Sequence, residues 1–581
     1  MPRSTVVYGF ADAAQQYPQH PAVLGAGPPT SYAALAAAAG GYAELLTGSG
    51  VRPGDRVGLL TLHGGQTIAA ILGTLAAGAG YVPLDPAFPV SRLARMVGDA
   101  GVGTLLCDPA HEGLAGRLRP AGGRLLPAGE VPPRPLRPVP VDAGALAYVL
   151  FTSGSTGRPK AVGQTHRNLL HVVRNQIAAL APGPADRLSL LASFSFDAAI
   201  PDLYPALLTG AAVVPVDLRS LGLSEAIDEL SRQSVTIYHS TPTVYRHLLA
   251  ALCGRRLPAV RTVLLGGEQA TYEDVRRGAQ RFAPDCVFVN GYGSTEVTFA
   301  AQYQIRAGQL PPGRTGPLPI GAALPGFQLT VAEGTGELHV RSRYLAPGYL
   351  NQDSDRFTVD PDGTPRYRTG DLGTAGPEGT LVCLGRLDRQ VKVRGVRVEP
   401  AEVEAVLAGL PGVGAVRVIV RDGDLLGYAC PAGSASLDGP RLRTALAGQL
   451  PEQLVPRAII VLPGLPLTVT GKVDELALPP PAGSELGQPA PDGVARTPTE
   501  RAVHDLWCAV LGAERVDRSA SFFDAGGDSL RLGQVQAGLA DRLGVRVGMA
   551  DLLAYPTIAA LAGRLDRTPP AGPAAGNPAG T

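Results

Sequence analysis

Lysine stands at only three positions in this chain, 160, 392 and 472, among 51 basic residues. Arginine is a wide planar fork, whereas lysine carries a compact point charge on a slim stem. The first lysine closes the stretch "FTSGSTGRPK" (151–160), in which Thr152, Ser153, Gly154, Ser155, Thr156 and Gly157 pack two glycines among four hydroxyls. Glycines let backbone N–H groups come close to an anion, and hydroxyls add donors, so the stretch reads as a phosphate cradle with Lys160 as its cation. Taken alone it reads equally well as a flexible Ser/Gly turn. It is not the G-x-x-x-x-G-K-[ST] loop, because Lys160 follows the last glycine by three residues and precedes Ala161.

Two further clusters have the chemistry of a nucleotide edge. "NGYGSTE" (290–296) follows the strand-like "CVFVN" and offers an aromatic ring, hydroxyls and a carboxylate. Tyr292 suits a base, Thr295 a phosphate and Glu296 a magnesium ion. A polar loop capping a helix would also explain it. "YRTGDL" (367–372) places Asp371 where ribose hydroxyls could donate, although a simple turn is the favoured reading of that motif alone.

The elements that must position these groups follow from periodicity. Strand-like "DRVGLLTL" (55–62) runs into helical "QTIAAILGTLAAG", and "TVLLGGE" (262–268) into "TYEDVRRGAQRFA". Repeated strand and helix units predict parallel sheets with helices on their faces. After about residue 310, short strands with turn signals dominate. "GVRVEPAEVEAVLAGLPGVGAVRVIVRDGDLLGYAC" then reads as a small α+β unit. A Pro/Gly/Ser-rich linker (478–493) precedes a Thr-capped amphipathic helix at 497–512 and further helices to about 566.

The bulk numbers exclude other classes. With 581 residues the chain exceeds one ordinary core. A net charge of +1 gives no reason to expect nucleic acid or membrane partners. Six cysteines without any C-x-x-C pair suggest neither zinc nor a disulfide framework, and the N-terminus lacks the apolar core of a signal peptide. The expected location is the cytoplasm.

Together, "TSGSTG", "YGSTE", "YRTGD", "GRLDRQVKVRG" (385–395) and "TGKVD" (470–474) occur in an order that resembles the amino-acid-activating adenylation domains of nonribosomal peptide synthetases, members of the adenylate-forming superfamily. "FFDAGGDSL" (522–530) resembles the attachment motif of peptidyl carrier proteins. The resemblance implies an α/β multidomain fold. Its parts are an N-terminal core of αβαβα layers with a small barrel-like β part (1–387), a small α+β subdomain (388–480), a linker (481–497), a four-helix carrier (498–566) and a disordered tail (567–581).

It also implies roles. The loop 152–157 with Lys160 would hold phosphates; Asn290, Gly291, Tyr292, Gly293, Ser294, Thr295, Asp371 and Arg386 would line the ATP/AMP site, and Glu296 would bind Mg²⁺. Lys472 would be the catalytic lysine of adenylation, Lys392 the lysine of the second step, and Asp388 the hinge between them. Ser529 would carry 4'-phosphopantetheine. Asp197 would bind the substrate ammonium, with Ala198, Pro201, His239, Leu264, Gly266, Gly291, Phe299 and Ala300 lining the side-chain pocket.

That pocket holds no second charge, so a charged side chain would be buried unpaired. Two glycines and two alanines are expected to leave room for a medium-sized, mostly apolar or aromatic amino acid. The implied activity is ATP-dependent formation of aminoacyl-AMP and pyrophosphate, then thioester loading of Ser529, in natural product biosynthesis. The partners implied are a phosphopantetheinyl transferase, an MbtH-like protein, and a tailoring enzyme or condensation domain in trans. Competing readings are an acyl- or aryl-CoA ligase, against which Asp197 and the fused carrier argue, and a carrier scaffold with an inactive activating domain.

Overall fold

The computed structural model describes residues 5–120, 122–153, 158–376, 379–387, 390–393, 396–421, 423–433, 435–466, 473–481, 495–523, 525–527, 529–545 and 547–567. The strand and helix alternation builds two large sheets. The nine-stranded one runs in space from Ala322–Ala323 through Thr298–Arg306, Val287–Ser294, Thr262–Gly266, Ile237–Ser240, Arg187–Leu190, Ala212–Pro215 and Pro21–Val23 to Thr30–Ser31. Its centre is parallel and its edges antiparallel. The six-stranded sheet is parallel except for its final hairpin, Leu146–Thr152 with Lys160–Thr165.

The main core lies between the two sheets, where Leu59, Tyr81 and Tyr148 of one meet Leu188, Leu264 and Val289 of the other across helices Tyr32–Gly48, Gly65–Ala76 and Ile200–Thr209. Those helices cross closely because Gly73 has no Cβ; one there would lie 2.8 Å from the Ala39 carbonyl. Helices Leu218–Arg232, Pro242–Ala251 and Tyr272–Ala279 cover the outer face of the nine-stranded sheet. Helices Val90–Asp99 and Glu112–Leu118 cover that of the six-stranded sheet. The layers are therefore α, β, α, β, α, as expected. A five-stranded antiparallel sheet spanning Gln328 to Arg386 follows.

The next unit pairs the hairpin Val391–Val393/Val396–Val398 with a three-stranded sheet and helices Pro400–Ala408 and Gly439–Ala447, around their own core of Val398, Leu407, Leu425 and Leu446. Four helices close the described chain: Pro498–Leu511, Ser529–Leu543, Met549–Ala554 and Ile558–Leu565. Thr497 caps the first, its side chain accepting from the Glu500 N–H at 3.0 Å, and Trp507 packs edge-on against Phe522 in their shared core. Among the described residues no helix is long and apolar enough to cross a membrane.

Candidate active site

The stretch "FTSGSTGRPK" joins two antiparallel strands rather than a strand and a helix, and the register sets Lys160 directly opposite Thr152. That pairing is why the lysine ends the motif. Gly154, Ser155, Thr156 and Gly157 lie outside the described residues. Lys160 is buried, its Nζ 3.8 Å from Glu399 Oε1 and 5.5 Å from the centre of the Tyr349 ring.

Beside this hairpin lies a cavity of about 670 Å³, at the C-terminal ends of the parallel strands where open α/β sheets place their ligands. Thr152, Ser153, Gly293, Ser294, Thr295, Asp371 and Arg386 line its polar end. Asp197, Ala198, His239, Gly266, Gly291 and Phe299 line the other, and Pro451–Leu454 of the C-terminal unit close over it. Among the described residues, Thr152 Oγ1 and Ser294 Oγ are buried without a hydrogen-bond partner. Two such hydroxyls on one wall suit phosphate oxygens.

Asp371 is held from two sides. Tyr292 Oη donates to its Oδ2 at 2.7 Å, and Arg386, its partner in register, pairs with Oδ1. A carboxylate has about four lone-pair sites, so it can still accept from ribose hydroxyls. Asn290 faces away from the cavity, its amide donating to the Pro319 carbonyl at 2.8 Å. Tyr292 likewise does not line the cavity wall, and its hydroxyl is bonded to Asp371. Thr295 Oγ1 donates to Asp197 Oδ2 at 2.9 Å, which links the expected phosphate contact to the expected ammonium contact. Glu296 is fully buried and accepts from Tyr349 Oη at 2.8 Å. Magnesium takes hard oxygen donors and commonly uses one or two carboxylates plus substrate phosphates, so the Glu296 carboxylate has the chemistry for it, from a place just behind the cavity wall that Thr295 lines.

The backbone pays for this edge at one point. Thr298 has φ of 62°, unusual for a β-branched residue, and a Cβ on Gly293 would lie 1.5 Å from the Thr298 carbonyl oxygen. The tight turn brings Ser294, Thr295 and Phe299 to the same cavity.

The side-chain pocket differs from expectation. Leu264 lies deeper on the same strand face, inside the main core. Ala300 points to the opposite face from Phe299, because strand side chains alternate, and joins a cluster with Val172 and Val340. Pro201 is buried in the first turn of its helix. None of these three lines the cavity. The room expected over Gly291 is also taken, since a Cβ there would lie 2.2 Å from Phe299 Cε1. Space remains over Gly266, whose nearest neighbours from a Cβ would be Gly291 O, Phe299 Cζ and His239 Nε2 at 3.6, 3.7 and 3.8 Å.

Two acidic residues went unread in the sequence. Asp202, the carboxylate in the otherwise apolar "IPDLYPALL", sits behind the pocket wall, and its Oδ1 accepts from His239 Nδ1 at 2.9 Å. Burial raises its carboxyl to about 6, with His239 pulling the other way. Glu402 pairs with Arg92 at 2.6 Å across the boundary between the N-terminal core and the C-terminal unit, both side chains largely buried.

Asp388 and Lys472 lie outside the described residues, as does the Lys392 side chain; the backbone of Lys392 belongs to the hairpin that leads into Glu399. Ser529 opens the helix Ser529–Leu543, which packs on Leu218–Arg232 and Pro242–Ala251 of the N-terminal core. The first turn of Leu218–Arg232 itself lines the cavity through Leu218 and Arg219.

Residues 10–350 match the AMP-binding enzyme family, and residues 501–565 match the phosphopantetheine attachment site. The chain is 37% identical to the "probable non-canonical nonribosomal peptide synthetase" CymA of Salinispora arenicola over 98% of its own length, and 35% identical to the phenyloxazoline synthase MbtB of Mycobacterium tuberculosis over 95%. It spans 7% of the first relative's length and 40% of the second's. Among solved structures it is similar to holo-PA1221, a protein containing adenylation and PCP domains, with a TM-score of 0.80 and 27% identity over 97% of this chain and 96% of that one.

Proposed function

This chain belongs to the AMP-binding enzymes, as an adenylation domain of the nonribosomal peptide synthetase kind joined to a carrier domain, and on that footing we propose that it activates an α-amino acid and loads it onto its own carrier. Adenylate-forming domains use ATP and Mg²⁺. The observation that carries the amino-acid reading is Asp197: a carboxylate on the wall of the cavity, hydrogen-bonded to Thr295 at the phosphate end. An anion there suits a substrate ammonium and is wasted on an aryl or fatty acid.

In the first half-reaction the substrate carboxylate attacks the α-phosphorus of ATP, forming aminoacyl-AMP as pyrophosphate leaves. Thr152, Ser294 and Lys160 are the groups we assign to the phosphates, and Asp371 to the ribose. Glu296 would hold the magnesium ion, which neutralises phosphate charge when bound. Lys472 is assigned to the oxygens on which charge develops, where preorganised charge contributes most.

For the second half-reaction a phosphopantetheine arm on Ser529 would supply the thiol that takes the aminoacyl group, with AMP as the leaving group. The protein's part is to bring the carrier to the cavity. The docking of Ser529–Leu543 on the helix whose first turn lines the cavity supports this, as does the Lys392 hairpin leading into Glu399 beside Lys160. We read this arrangement as the one for thioester formation, with Asp388 as the hinge that exchanges it for the adenylating one.

Amino-acid-dependent ATP–pyrophosphate exchange across proteinogenic and aryl-glycine substrates, with and without an MbtH-like protein, tests the reading. One strong amino-acid responder, lost in Asp197→Val and Lys472→Ala, is expected, with mass gain at Ser529. A response to carboxylic acids lacking the amine would replace it with the aryl- or acyl-ligase reading.

A further inference from the structure

The geometry points to His239, held by Asp202, as the group that selects an amino acid whose side chain ends in a hydroxyl. This rests on the amino-acid reading above and names the class of substrate for the same pocket.

The ring is oriented from behind. Asp202 comes from the helix Ile200–Thr209, and its Oδ1 lies 2.9 Å from Nδ1; both side chains are almost wholly buried. A carboxylate only accepts, so the contact with Asp202 holds a proton on Nδ1 and fixes the ring with its other nitrogen, Nε2, on the opposite edge. Nε2 has no protein partner among the described residues, and it borders the space over Gly266 together with Gly291 O and Phe299 Cζ.

An apolar side chain filling that space would strip water from Nε2 and return nothing. A hydroxyl, which both donates and accepts, would hydrogen-bond to it. Sites built to hydrogen-bond a substrate group reject the analogue lacking it far more strongly than apolar pockets reject an extra methylene. Asp202 is a positioning residue here, since it touches His239 and not the cavity.

Matched substrate pairs test the proposal: tyrosine with phenylalanine, 4-hydroxyphenylglycine with phenylglycine, threonine with valine. Exchange kinetics of the full chain should favour the hydroxyl member of the best pair by about tenfold or more in kcat/KM. His239→Leu should bring that ratio close to one while exchange with the deoxy partner persists, and His239→Gln, which keeps an acceptor, should restore part of it. Asp202→Ala should lower the ratio in the same way, chiefly through KM.

A wild-type preference for the deoxy member overturns the proposal while leaving amino-acid activation intact. So does a ratio that His239→Leu does not change. Exchange only with acids lacking the amine overturns the parent reading and this one with it. Loss of exchange with both members in His239→Leu is resolved by Gly266→Ala, which narrows the same space while keeping His239 and its bond to Asp202: a preference shifted to smaller hydroxyl side chains supports the proposal, and one shifted to smaller apolar side chains overturns it.

Discussion

Arg531 of the carrier helix donates to Asp424 Oδ2 of the C-terminal unit at 2.9 Å, and Arg457 of that unit donates to the same oxygen at 2.7 Å. Arg457 also reaches the Leu511 carbonyl of the carrier at 2.5 Å. On its other side the same carrier helix meets the N-terminal core, where Gln534 contacts His247 and Gln536 donates to Glu225. The carrier is thus gripped by both units at once. A rotation of the C-terminal unit would break one grip and leave the other.

Arg531→Gln should therefore slow loading of Ser529 by about tenfold, since a hydrogen bond to a charged group contributes on the order of 1.5–3 kcal/mol. Pyrophosphate exchange should stay near wild type, because Arg531 lies outside the cavity. The two rates, measured on one preparation of holo protein, check this; an equal fall in both would make the contact merely structural.

The core side of the dock depends on Gly222, which kinks its helix with φ of 73° and ψ of 178°. A Cβ there would lie 2.2 Å from Gln536 Oε1 and 2.5 Å from Met549 Cε. Gly222→Val should reduce loading of the attached carrier with exchange retained. Intact-mass analysis of Ser529 over time reads the effect.

Lys160 and Glu399 form a buried pair in this arrangement, yet Lys160 is the group assigned to the phosphates. Glu399→Gln leaves the lysine without that anion and so disfavours this arrangement relative to the other. The expected outcome is a loading rate several-fold lower and an ATP KM in exchange that is unchanged or reduced. A raised ATP KM would count against the competition.

Asp202 makes a prediction about pH. Its folded carboxyl, raised to about 6, holds its proton to higher pH than in the unfolded chain. The native state then binds more protons between about pH 4 and 6, so stability falls as pH rises through that window, on the order of 3 kcal/mol in total. Asp202→Asn lacks this slope. Its melting temperature relative to wild type should rise between about pH 4 and 7.

The sequence by itself determined the chemistry classes. Three lysines, a glycine and hydroxyl loop, Asp371, Glu296 and the serine motif of the carrier stand out by residue type, and the order of their motifs along the chain carries the resemblance from which their roles are proposed. The strand and helix alternation likewise foretold the layers, since period follows from local geometry. Only the tertiary structure decided which residues share a cavity. Leu264 and Ala300 left the pocket wall for the core, and Phe299 filled the room over Gly291. Asp202 became the partner of a ring 37 residues away, and the carrier settled against both units. Such relations depend on which strand pairs with which, on the bulge between Tyr292 and Gly293, and on how helices cross, and these are set by packing between segments far apart in the chain.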